Sequence, residues 1–225
     1  MHIPDGFIDL PTSASVGLLA IAGTAVALKK ARTDLDDRMA PMAGLTAVFI
    51  FAVQMLNFPV AAGTSGHLLG GALATVLVGP YAASLALTVV LGMQALLFAD
   101  GGLTALGLNI FNMSVLGIVA SYAVFELAKK ILPKTKVSIP LAAGISAFIS
   151  VPIAAIGFAI QYAIGGNGTA PASTVFAAMV GTHLLIGIGE AIITMLTVSA
   201  IMASRADLVR GWKSSANTLE IRSAL

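Results

Sequence analysis

The chain opens Met1-His2, and that dipeptide can chelate a metal ion by itself. A primary amine on residue 1 and the amide nitrogen of His2 close a five-membered ring on the ion. The same amide nitrogen and Nδ1 of the His2 ring close a six-membered one. Three nitrogens therefore lie in one plane without help from the fold, and a fourth, most simply an imidazole, completes a square. Square-planar nitrogen is the geometry of Cu(II) and Ni(II), the divalent ions best able to displace an amide proton. Zn(II) prefers a tetrahedron and Mg(II) six oxygens. The sequence has no cysteine, so disulfides, iron–sulfur clusters and thiolate sites are excluded, and a metal must be held by nitrogen or oxygen. The bulky His2 blocks removal of the initiator methionine. Residues 1–11 carry no Lys or Arg, so they do not read as a signal peptide. The expectation is a chain that begins at Met1 with its amine unblocked.

His67 is the candidate fourth donor. It follows a loop and is bracketed by Gly63, Gly66, Gly70 and Gly71, which let another segment approach closely. Asp5, Asn57, Ser65, Gln94 and Asp100, with Asn109 and Asn112, fall near the same end of the apolar segments and are expected to line the pocket or to accept hydrogen bonds from the ligands. His183 and Glu190 are seven residues apart on one face of a long apolar segment. Ionisable groups inside a span face the bundle interior, and this pair is expected to form an internal hydrogen bond or to serve a release path rather than primary ligation, because the depth of His183 separates it from the outer face. Two rival chemistries are weaker. Gly63-Thr64-Ser65-Gly66 matches the short G-x-S-G pattern of rhomboid-type intramembrane serine proteases, but a nucleophilic Ser needs a base at the same depth. A self-sufficient secondary transporter needs paired charges or broken helices near the midplane, and only His183 and Glu190 qualify. The H-E-x-x-H zinc motif is absent.

The elements that position these residues are set by solvent. Hydrophobic residues make up 58% of the chain and charged ones 10%, against roughly a quarter charged in soluble domains, and the mean hydropathy is positive. Lipid must cover most of the surface. Segments of about 20 apolar residues are needed to span the hydrocarbon, and the sequence predicts an all-α, polytopic protein with about seven: residues 12–28, 39–57, 67–78, 80–98, 108–128, 140–164 and 173–203. The stretch 67–98 reads either as two spans broken at Gly79-Pro80 or as one span and a re-entrant piece. Charge supports seven. Lys29, Lys30, Arg32, Arg38, Lys129, Lys130, Lys134, Lys136, Arg205, Arg210, Lys213 and Arg222 then all fall on one side, while Asp5, Asp9 and Asp100 fall on the other. By the positive-inside rule the N-terminus is outside and the C-terminus cytoplasmic. Residues 1–204 form one membrane-embedded domain, and residues 205–225 a short cytoplasmic tail.

Met1-His2-Ile3-Pro4-Asp5-Gly6, the run from Gly63 to Gly71 (GTSGHLLGG), the run from Leu91 to Gly102 (LGMQALLFADGG), and His183 through Glu190 together resemble the CbiM/NikM family. That resemblance implies a substrate-capture subunit of an energy-coupling-factor ABC importer, not an enzyme, with the ion held by the amine of Met1, the amide and ring of His2, and the imidazole of His67. It implies Ni(2+) or Co(2+) as the transported substrate, and the planar donor set favours nickel. It also implies a transmembrane coupling subunit (the T component), a pair of cytoplasmic ATPases and a small accessory membrane subunit as partners, in the cell membrane of a prokaryote. No G-x-x-x-x-G-K-[ST] loop occurs, so no ATP site of that type lies in this chain, and nothing points to nucleic acid. Gly17, Ala20, Gly23 and Ala27 on the first span form a small-residue face suited either to the coupling subunit or to packing within the bundle.

Overall fold

The computed structural model describes residues 1–34, 39–60, 65–210 and 212. Arg38, Lys213 and Arg222 lie outside them, as do Gly63 and Thr64, the side chain of Ser65 and most of the tail. Among the described residues the chain is helical: α1 (Leu10–Asp34), α2 (Met39–Gln54), α3 (Gly71–Val78), α4 (Pro80–Phe98), α5 (Leu106–Asn109), α6 (Gly117–Ile131), α7 (Ser138–Gly165) and α8 (Ala172–Arg205). A π-helical stretch, Ile110–Leu116, joins α5 to α6 without a break, so the three act as one rod over Leu106–Ile131. Two-residue strands, β1 (Phe58–Pro59) and β2 (Ser65–Gly66), pair antiparallel ahead of α3, with Phe58 opposite Gly66.

Among the described residues, five helices are long and apolar enough to cross a membrane: Leu10–Thr33, Pro80–Phe98, Leu106–Ile131, Ser138–Gly165 and Ala172–Leu208. All seven expected segments contain helix, but two are short. The 16 residues of α2 and the eight of α3 are about 24 and 12 Å long at 1.5 Å per residue, less than the hydrocarbon thickness. The segment expected to be helical from residue 67 starts its helix only at Gly71. Residues 67–70 enter as irregular chain, and Gly70 at φ +74° makes the turn into α3, a conformation open to glycine. Every residue of α3 is buried, so this non-helical entry is shielded by protein, as membrane depth requires. Gly79 at φ +84°, followed by Pro80 at the first position of α4, then reverses the chain.

Side chains sort by solvent. Leu18, Ile164, Leu185 and Leu196 present between 66% and 72% of their surface outward, which only lipid can accommodate for so many apolar groups. The interior holds two apolar clusters. One surrounds α3, with Leu73, Val76, Leu77, Leu87, Phe125 and Val198. The other surrounds the start of the chain, with Met1, Ile3, Ile8, Leu69, Leu108, Phe158 and Met179. The small face of α1 serves the bundle: Gly107 closes on Gly17, Val115 on Gly23, and Ala20 and Ala27 are buried. Past α8 the chain folds back, Arg210 donating its backbone N–H to Val76 O at 2.9 Å and its Nη1 to Val78 O at 3.2 Å. Trp212 packs against the α3 cluster.

Candidate metal centre

Residues 1–9 are a plug rather than an exposed tail. Met1 is 1% exposed, Ile3 0% and His2 4%. Backbone and side-chain bonds thread the segment between loops. Asn109 takes both main-chain groups of Ile3, its Oδ1 accepting from Ile3 N at 2.8 Å and its Nδ2 donating to Ile3 O at 3.2 Å. Gly102 N also donates to Ile3 O, at 2.8 Å. Thr104 donates to Asp5 Oδ1 from both its backbone N (2.7 Å) and its hydroxyl (2.6 Å), which holds the Asp5 carboxyl below the usual carboxylate range. Asp9 N donates to Gly165 O and Asn167 N to Phe7 O, while Phe7 stacks on Phe158 and leans on Tyr162. Asp9 caps α1 by accepting from Thr12 N at 2.9 Å. The bed under the plug is Gly101-Gly102. A Cβ on Gly102 would run into the backbone of Pro4 and Asp5, and Gly101 sits at φ +93° against the His2 ring.

Two imidazoles meet at the buried tip. The His2 and His67 rings stack with centroids 4.6 Å apart and planes 30° apart, and His67 is fully buried. His2 Nε2 lies 3.1 Å from Gln94 Oε1. His2 Nδ1 stands 3.2 Å from Asp100 Oδ1. The ring thus stands between two side chains, Gln94 at Nε2 and Asp100 at Nδ1. His67 Nδ1 faces its neighbour's carbonyl, Leu68 O, at 2.9 Å, which fixes the proton on Nδ1 and leaves Nε2 bare and unpartnered. Burial lowers the pKa of the Met1 amine, with Asp100 pulling weakly the other way. Burial lowers His2 as well. Asp100 is pushed up by its own burial but held lower overall by His2 and by Asn57, whose Nδ2 donates to Asp100 Oδ2 at 3.2 Å. The tip thus gathers the Met1 amine and two imidazoles beside one carboxyl group. Among the described residues no group of three or more His, Asp or Glu side chains converges as a metal centre, so an ion here would have to draw on main-chain nitrogen too.

The segment carrying His67 is held from two sides. Gln54 Nε2, on α2, donates to Leu69 O at 2.7 Å. Glu190, on α8, accepts from Leu69 N at 2.6 Å and from Gly70 N at 3.0 Å. Glu190 therefore grips the entry to α3, where the helix dipole favours an anion. His183, on the same face of α8, is fully buried. The two α8 side chains do not bond each other: His183 Nδ1 lies 2.7 Å from Met179 O, while both Glu190 oxygens are taken by backbone N–H groups.

Of the residues singled out from sequence, Met1, His2, His67, Gln94 and Asp100 come together, and Asn57 joins them through Asp100. Asp5 sits outside, fastening the plug to Thr104. The side chain of Ser65 lies outside the described residues. Sequence reasoning passed over Thr104 and Gln54, quoted Gly101-Gly102 only as part of a motif, and gave Asn109 and Asn112 no role of their own. Asn112 pairs reciprocally with Gln161 on α7 at 2.8 and 2.7 Å. The signal available was polarity inside apolar runs, which marks a buried partner without naming it.

Comparison with known proteins identifies the family. Residues 2–208 match the model of the CbiM family, described as the cobalt uptake substrate-specific transmembrane region. The fused nickel transport protein NikMN of Rhodobacter capsulatus is 33% identical over 93% of this chain and 64% of its own length. The cobalt transport protein CbiM of Sorangium cellulosum is 33% identical over 93% of this chain and 94% of its own. A solved structure, a truncated transition metal transporter, superposes with a TM-score of 0.83 at 33% identity over 90% of this chain and 99% of that one. These relatives and this fold are those of metal transporters rather than of a protease. With its whole described helical body matched, the chain belongs to the CbiM family.

Proposed function

We propose that this chain is the substrate-capture subunit of an energy-coupling-factor ABC importer for nickel. The ion is held by four nitrogens: the Met1 amine, the His2 amide, His2 Nδ1 and His67 Nε2. The stacked pair of buried imidazoles beside the Met1 terminus, with His67 Nε2 unpartnered, carries this reading. Charge balance supports it. A divalent ion, one amide nitrogen that has lost its proton, and the Asp100 carboxylate sum to zero, so the loaded tip carries no net charge in a nearly dry setting. Four nitrogens in a plane favour nickel. Cobalt is the alternative, favoured by the Sorangium relative's name. The N-terminal face is read as outside, and a transmembrane coupling subunit with a cytoplasmic ATPase pair supplies the energy.

The test is elemental analysis with an optical spectrum on protein carrying its native N-terminus, purified with each metal in turn. A yellow, diamagnetic nickel complex at one ion per chain is expected. His2→Ala and His67→Ala each abolish retention while the helical fold persists, and one residue added ahead of Met1 does the same, because it turns the amine into an amide at a position with no room for more chain. Wild-type nickel content in either histidine variant refutes the site.

A further inference from the structure

The connection between α6 and α7 gathers positive charge against lipid. Lys129 and Lys130 close α6, Lys134 and Lys136 follow them, and no Asp or Glu occurs between Glu126 and Glu190. Among the described residues, Lys130, Lys134 and Lys136 take part in no salt bridge. The same stretch turns large apolar groups outward: Leu127 is 57% exposed, Ile131 73% and Val137 74%. Lysines and lipid-facing side chains that alternate over so few residues mark the level where headgroups meet hydrocarbon.

A cavity of about 420 Å³ opens at this level, lined by Lys129, Lys134, Thr135, Ser138, Ile139 and Trp212. At about 30 Å³ per water it has room for far more than a bare ion. Its polar lining offers cations and hydroxyls, and no carboxylate. The acid closest in sequence, Glu126, meets Lys129 Nζ at 2.7 Å and lines a separate cavity with Arg210. Lys129 Nζ also stands 4.9 Å from the centroid of the Phe125 ring, so its position on the cavity wall is fixed. The Thr135 and Ser138 hydroxyls lie 2.8 Å apart. Their mutual bond uses one hydroxyl proton and leaves the other for an anion. Trp212 arrives from beyond α8 and packs on the α3 cluster; an indole suits the headgroup level.

We propose that this cavity binds the headgroup of an anionic phospholipid. The phosphate sits between Lys129 and Lys134 and accepts from the hydroxyls, while the acyl chains run along Ile131, Val137 and Leu141, all exposed on the lipid side. Basic pockets between membrane helices take such headgroups. A choline headgroup brings its own cation, which the lysines repel, so the site discriminates against zwitterionic lipid. Those apolar flanks favour a lipid over free phosphate, which has nothing to place there. The bound lipid ties the α6–α7 connection to the segment returning from α8.

Trp212 is the single tryptophan of the chain, so its fluorescence reports on this cavity alone. Full-length protein is placed in phosphatidylcholine nanodiscs, with a rising fraction of the lipid replaced by dibrominated phosphatidylglycerol or dibrominated phosphatidylcholine. Quenching by the glycerol lipid is expected to saturate at a low fraction, and quenching by the choline lipid to grow only in proportion to its share. In Lys129→Ala/Lys134→Ala the fraction of phosphatidylglycerol giving half-quenching rises about tenfold. Lys29→Ala/Lys30→Ala removes equal charge from the exposed end of α1 and is expected to leave the curve unchanged. Lys134→Ala alone, at an exposed position, shifts the curve in the same direction and decides the matter if the double variant does not fold. Equal quenching by the two lipids overturns the proposal, as does an equal shift in the Lys29/Lys30 control, which would mean diffuse surface charge. Loss of quenching on adding inorganic phosphate, but not chloride at the same ionic strength, would make free phosphate the ligand and overturn the lipid.

Discussion

In the proposed site, burial prepares Met1 and His2 to act as metal donors. An ordinary amine or imidazole competes for protons near neutral pH, and a metal can bind only the base form. Here desolvation lowers both groups, so protons displace the ion only at lower pH than they would from a Met-His peptide. The sign follows from linkage. The folded values lie below the unfolded ones, so the unfolded chain binds the extra protons, and stability that is complete above the unfolded values is lost as pH falls through the folded ones. Nickel retention is therefore expected to stay full through neutral pH and to drop on acidification, with its midpoint on the acid side of that of the nickel complex of Met-His-amide. Parallel optical titrations of the two complexes check this; a coincident midpoint would mean the fold does nothing to the donors. The proposed donor atoms were suggested by the sequence, because an amine, an amide and an adjacent imidazole need no fold to become coplanar. His67 could be paired with them from its place at one end of a span. Asp100 and Gln94 appeared as candidates, yet nothing in their spacing says that they flank opposite nitrogens of the same ring. The role of Asn109 was illegible for the same reason, since it binds backbone, and backbone partners leave no trace in residue types.

Among the elements, α8 has the most direct hold on the site that does not involve touching the ion. Glu190 takes two backbone N–H groups of the chain entering α3, and Gln54 on α2 takes a carbonyl of the same stretch, so the position of His67 Nε2 depends on where α2 and α8 stand. Replacing Glu190 by Ala leaves two buried N–H groups without an acceptor, at about 1–3 kcal/mol each. Nickel affinity is expected to fall about 10–100-fold, measured by competition with a chromophoric chelator. Because Glu190 works through His67, Glu190→Ala made in a His67→Ala background should change residual affinity little; additive losses would assign Glu190 a separate role. The sequence marked Glu190 as a buried acid on the right helix face, but its partners are peptide groups 120 and 121 residues away. The brevity of α3 was likewise hidden. Residues 68–78 are apolar but for Thr75, and hydropathy cannot separate a short buried helix with a non-helical lead-in from a span. That distinction depends on Gly70 at positive φ and on shielding by neighbours. The small-residue face of α1 was open to two uses, and packing against Gly107 and Val115 answers to the inner one.

For the whole molecule, the arrangement divides labour between two ends. The plug, the loops that clamp it and the two donor histidines gather toward one end. The other end carries Lys29, Lys30, Lys129, Lys130, Arg205 and Arg210, and there Arg210 closes over the end of α3. If the basic end is cytoplasmic, the plug meets metal arriving from outside, and α3 with its buried turn at Gly79 points toward the energised side. The absence of cysteine from the sequence makes the orientation directly measurable, since any introduced thiol is the sole label. Thr169, in the loop ahead of α8, and Lys136, between α6 and α7, are both exposed and take no part in the site. In intact cells a membrane-impermeant maleimide should label Thr169→Cys and leave Lys136→Cys unmodified until the cells are broken open. The reverse pattern would place the amine of Met1 on the cytoplasmic side. Capture from outside would then be untenable, whatever ion the nitrogens hold, and the same four donors would have to be read as a site that receives metal from within. Labelling of both residues in intact cells would mean that the chain does not alternate as its helices imply. The expected asymmetry follows from counting positive charges at helix ends, and it decides from which side the buried nitrogen cluster is filled.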